Sequence, residues 1–200
     1  MTIPQMIKES DDLSEWIDNQ LAGLSIKAED RFSFAGGCFH IALEHQRAII
    51  LLIQNRCFGS ALSLVRLIYE ALVRGVWLHH CASEEQIEDY KADKPSIHFV
   101  GLFKAVEKIS GWEGGFFSSA HPRLWNLMNS FTHNGIRQVE CRMNEQDFDA
   151  SYHDNQILDA LIFSGVIALL CGKAVANLAN DIGLASSMLD RAKKFAALKD

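Results

Sequence analysis

Only three prolines occur in the 200 residues, and the 13 glycines are scattered. That scarcity excludes a loop-dominated scaffold and a Pro/Gly-rich disordered chain. No stretch alternates apolar and polar residues with the period of two that a half-buried strand needs, so sandwiches and barrels are not indicated. Basic residues do not predominate: 19 Lys and Arg face 25 Asp and Glu, a net charge of -6, which argues against a general phosphate-backbone binder while leaving room for a local basic patch. The five cysteines are odd in number and mostly sit in apolar helical runs, which suits core filler in a reducing cytosol better than a disulfide framework. Met1 to Ser10 lacks the basic region and apolar stretch of a secretory signal. The most apolar run, Ala160 to Gly172, is broken by Ser164, flanked by Asp159 and Lys173, and falls short of the roughly 20 residues that span a bilayer. These absences point to a soluble cytoplasmic protein with no membrane partner.

What is present is helical periodicity. With 48% hydrophobic and 22% charged residues, the chain fits one globular domain over residues 1–200. The pattern predicts an all-α, single-domain, up-and-down bundle of about seven to eight helices. A first helix is expected to start after Ser10, and a second to run from about Phe34 to Arg56. Gly59-Ser60 reads as a stop and N-cap for a third, ending near Cys81. Ser83-Glu-Glu-Gln86 has the form of a capping box for a short polar helix, and Ser96 reads as the cap of another that stops at Gly111. Pro122 opens a helix that runs to about His133, where Asn134-Gly135 terminates it. Arg137 to Tyr152 is polar and aperiodic and reads as a long loop. A long apolar helix follows from Asp154 to about Asn180, then an amphipathic one carrying Arg191, Lys193 and Lys194. Ala160, Ser164, Ala168, Gly172 and Ala176 recur every four residues along the apolar helix. Such a stripe admits a close helix neighbour, either within the chain or across a dimer seam.

The third helix carries Arg66, Glu70 and Arg74 among apolar residues on nearly every side, and buried charges must be paired. The two spacings of four place Glu70 within reach of either arginine. The expected outcome is a largely buried Arg66–Glu70 ion pair. It reads either as a core pair that fixes helix packing or as an anchored guanidinium facing an anionic substrate, with Arg74 beside it. His133, at a helix C-terminus, reads either as a cap bonded to free carbonyls or as a general acid or base. Metal chemistry is not indicated. His40 and His45 are five residues apart and do not share a helix face, and His79-His80-Cys81 places neighbours on different faces. A phosphate-binding glycine loop and a Gly-x-Ser-x-Gly elbow are both absent. No cofactor is expected.

The Arg-x-x-x-Glu pattern of Arg66 and Glu70, followed by Leu124-Trp-x-x-x-x-Ser-x-x-His-x-Gly135, resembles a set of bacterial helical proteins of unknown function. Their form is similar to the HEPN superfamily of helical bundles, which includes dimeric, metal-independent ribonucleases of toxin and phage-defence systems. That resemblance implies RNA as a partner, a homodimer or a helical protein partner, catalytic roles for Arg66, Glu70 and His133, and binding roles for Arg74, Arg123, Asn129 and Asn134. The HEPN motif is Arg, a polar residue, three further residues, then His. Asn129-Ser-Phe-Thr-His133 matches its second half, but Met128 stands at the arginine position. Arg123 lies too far along the helix to substitute, so the guanidinium would have to come from Arg66 or Arg74 on a helix brought alongside. A non-catalytic helical interaction protein with a structural Arg66–Glu70 pair is the alternative.

Overall fold

The computed structural model describes residues 1–94, 98–113, 125–126, 128–143 and 151–199. All regular structure among the described residues is helical. Helix α1 (Ile3–Leu21) begins well before the expected start after Ser10, because Thr2 and Gln5 form a capping box and Pro4 sits in the first turn. It buries Met6, Leu13 and Ile17. Helix α2 (Asp30–Gln54) also starts earlier than expected, with Asp30 in its first turn. Helix α3 (Phe58–His80) takes Cys57 as its N-cap, so Gly59-Ser60 lies inside the first turn rather than ahead of it. A side chain at Gly59 would meet Arg142 and Tyr152, each 2.6 Å from the position of its Cβ. The glycine is there for close approach, not for a turn.

Helix α4 (Glu84–Lys91) opens on the Ser83–Gln86 capping box as its sequence predicts. Helix α5 (Phe99–Val106) has His98 as N-cap; the cap expected at Ser96 lies outside the described residues. Residues 125–126 and 128–132 are helical (α6), and Pro122 lies outside the described residues. The next helix, α7 (Ile136–Glu140), corrects the expectation of a continuous loop from Arg137 to Tyr152. Helices α8 (Asp154–Leu178) and α9 (Ile182–Ala196) complete the fold, with a 3-10 turn at Ala197–Lys199.

Helix α8 packs against α1, α2, α3 and α9, which explains why it is apolar on all sides. By length and composition it is long and apolar enough to cross a membrane, contrary to the reading from the Ala160–Gly172 run, yet 72% of its most apolar window is buried inside the fold. The small-residue stripe is covered by the chain itself. Ser164, Ala168 and Ala176 are fully buried, and a Cβ on Gly172 would lie 2.9 Å from the Met188 sulfur of α9. The stripe is therefore an intramolecular contact, not a dimer seam. Ala168→Leu is expected to overpack it and to destabilise the protein by about 1–3 kcal/mol in urea denaturation.

Helices α2 and α3 form the most extensive pair and, with a short connection, run antiparallel. Their close approach depends on Gly75, where any Cβ would fall on the ring of Phe39, itself fully buried. The cysteines are all free. Cys38 and Cys171 are buried, but Cys57 is exposed and Cys81 and Cys141 are intermediate, so core filler describes only two of the five.

Candidate functional site

Helix α3 presents Arg66 and Glu70 one turn apart, and the end of α6 is laced onto the same face. The Ser63 hydroxyl lies 2.8 Å from the carbonyls of both Phe131 and Gly59, and the Thr132 hydroxyl lies 2.9 Å from the Met128 carbonyl and 3.2 Å from that of Ser63. α6 then stops. Asn134 adopts a left-handed conformation with φ of 53°, and the Gly135 N–H donates back to the Ser130 carbonyl at 2.7 Å. This stop leaves His133 exposed at the helix end, beside Arg66.

The Nε of Arg66 donates to Glu70 Oε1 at 2.6 Å, and its Nη1 lies 2.5 Å from His133 Nε2. A guanidinium has only donors, so His133 Nε2 is the acceptor in this contact. The guanidinium also sits 4.6 Å from the ring centroid of Trp125, which stacks on Phe99 at 5.1 Å. Glu70 from α3 itself and His133 and Trp125 from α6 and its end therefore hold Arg66. The pair is less buried than expected: the side chains keep 18% and 21% of their exposure. Glu70→Ala is accordingly expected to cost about 1–3 kcal/mol, between the values for exposed and sealed pairs, with Glu70→Gln milder because it keeps an acceptor; urea denaturation reads both.

The other expected site residues fall elsewhere. Arg74 does not share the Glu70 carboxylate; it lies toward Cys38, where burial pushes the thiol up and the Tyr90 hydrogen bond and the Arg74 charge pull it back. Asn129 turns inward: its Oδ1 is buried and has no hydrogen-bond partner among the described residues. Asn134 serves the helix stop, and Arg123 lies outside the described residues. Met128 is only 4% exposed, so the position that carries arginine in the HEPN motif faces the core here, where a guanidinium would be stranded. The guanidinium beside His133 is that of Arg66 on α3. Trp125 and Phe99 were not among the expected site residues; the one available signal was an aromatic about two turns ahead of His133 on the same helix.

His79 and His80 do not diverge as neighbours on separate faces; their ring centroids are 3.9 Å apart. Burial, then His80 and Arg31, lowers the His79 pKa to about 4. Among the described residues no group of three or more His, Cys, Asp or Glu is placed to hold a metal ion.

A family model matches residues 39–198, a span that includes Arg66, Glu70, Trp125 and His133. The chain belongs to the family of unknown function DUF6988. No match is found among curated proteins or among solved structures. In this DUF6988 chain the matched span takes in α3 and α6 whole, the two elements that meet at the Arg66–His133 contact, and leaves α1 outside.

Proposed function

We propose that this protein is a HEPN-like helical effector of the bacterial cytoplasm, working as a homodimer in a toxin or phage-defence setting, that cleaves RNA. The observation that carries this reading is the 2.5 Å contact between Arg66 Nη1 and His133 Nε2 across two helices. It places the imidazole against a fixed cation, and the Nε2 lone pair that Arg66 holds becomes free to take a proton once the substrate displaces that contact. In the proposed reaction the imidazole removes the ribose 2′-hydroxyl proton as that oxygen attacks the adjacent phosphorus. The guanidinium stabilises the phosphorane charge, the bond to the 5′-oxygen breaks, and the leaving oxygen takes up a proton from water while the imidazolium gives its own back to solvent. The products are a 2′,3′-cyclic phosphate and a free 5′-hydroxyl. Glu70 and Trp125 act as positioning residues for Arg66.

Incubation of the purified full chain with labelled single-stranded and structured RNA tests the reading. Cleavage yielding cyclic-phosphate ends is the expected result, and RNA left intact across neutral pH overturns it.

A second reading, a non-catalytic interaction protein, draws on a different observation. Val139 and Met143, 43% and 69% exposed, line a groove of about 460 Å³ with Asn134 and Arg142, and Ile136, on the same short helix as Val139, is 64% exposed. Exposed apolar groups clustered in this way suit a helical protein partner. In that case His133→Ala leaves the protein's action unchanged.

A further inference from the structure

Helices α1 and α9 flank an open cleft of about 610 Å³, remote in sequence from Arg66 and His133. Its size falls within the roughly 300–1,000 Å³ typical of small-molecule sites. The guanidinium of Arg191 lies over the ring of Trp16, 4.2 Å from its centroid, and both residues line the cleft with Lys194, Ser187, Glu9 and Asp190. Among the described residues neither Arg191 nor Lys194 has a carboxylate within salt-bridge distance. Asp190 is engaged by Lys193 at 3.3 Å. The cleft therefore combines an aromatic–guanidinium stack, two cations without a carboxylate partner, a hydroxyl and a carboxylate on α1.

We propose that this cleft binds a nucleoside monophosphate. A planar base is suited to the Trp16–Arg191 stack, since both guanidinium planes and indole faces accept stacked bases. A phosphate monoester carries a charge of about -1.5 to -2 near neutral pH, which Arg191 and Lys194 together balance, with the Ser187 hydroxyl as a further donor. The Glu9 carboxylate can accept only from donors, which selects ribose hydroxyls or an exocyclic amine over a second anion. Glu9 and Asp190 also set an upper limit on charge: a triphosphate brings more negative charge than the two cations neutralise, and it brings that charge toward two carboxylates. The proposal does not depend on RNA cleavage, because none of its residues belongs to the Arg66–His133 site.

Isothermal titration calorimetry on the full chain tests it, with AMP, ATP, adenosine and ribose 5-phosphate as probes. AMP is expected to bind at least tenfold more tightly than each of the other three. Lys194→Ala and Arg191→Ala are each expected to weaken AMP at least tenfold, and Trp16→Leu to bring AMP down to the level of ribose 5-phosphate. Lys194 is exposed, so its variant reports on binding even if a change at the half-buried Trp16 disturbs folding. Absence of AMP binding at millimolar concentration overturns the proposal. So does ribose 5-phosphate or adenosine binding as tightly as AMP, ATP binding more tightly, or AMP binding that is indifferent to Lys194→Ala.

Discussion

His133→Ala is expected to lower RNA cleavage by about 10²–10⁴-fold, the usual contribution of a positioned general acid or base, while the melting curve stays close to wild type. The fold should survive because His133 is exposed and follows α6, whose hold on α3 comes from Ser63 and Thr132 rather than from the imidazole. Arg66→Lys should impair cleavage in the same assay, since an ammonium cannot reach Glu70 and His133 together as the guanidinium fork does. Chelators are expected to leave the rate unchanged, because in the proposed reaction Arg66 supplies the positive charge. A His133→Ala protein that cleaves at the wild-type rate would remove the imidazole from the mechanism and, with it, the proposed chemistry.

The largest expected loss of stability lies in the α2–α3 pair. Phe39 is fully buried against Gly75, and Phe39→Ala removes a whole ring from a site where two long helices constrain any collapse. The expected cost is about 3–5 kcal/mol, read as a fall in melting temperature of about 6–20 °C for a chain of this size. The glycine gives an internal check. Gly75→Ala forces a methyl into the space of the ring and should destabilise the wild type, whereas in a Phe39→Leu background the same change should be milder. A double-mutant cycle with no coupling between the two positions would show that the ring and the glycine do not share that space.

Helix identity was legible from periodicity for every long element, and the Ser83 and Asn134-Gly135 signals held. The starts of α1 and α3 were not. At α1 the Thr2–Gln5 capping box is present in the sequence, but the polar stretch after it hid a helix that buries a single narrow face. At α3 the pair Gly59-Ser60 has the chemistry of a turn, and only tertiary structure shows that the glycine makes room for Arg142 and Tyr152. α7 is a five-residue helix, too short for periodicity to register. At the candidate site, the Arg66–Glu70 pair follows from helical spacing alone, because both partners share one element. The contact with His133 is separated by 67 positions, and no local rule reaches that far. The same applies to Trp125 and Phe99, which meet the site only through the packing of α5 and α6. Arg74 shows the converse failure: spacing allowed it to reach Glu70, but its charge lies toward Cys38 and Tyr90 instead.

The grip on Arg66 has a consequence for ligand affinity. A free arginine side chain carries about 2 kcal/mol of rotamer entropy, and an anion that must freeze it loses that much from its binding energy. Here Glu70, His133 and the Trp125–Phe99 stack have already immobilised it, so the loss is incurred once, when the chain folds, and an incoming anion meets a side chain with little left to surrender. If RNA binds as proposed, its affinity at Arg66 is thereby coupled to how firmly α5 and α6 are seated, and loosening either helix transfers the entropic cost from folding back to binding.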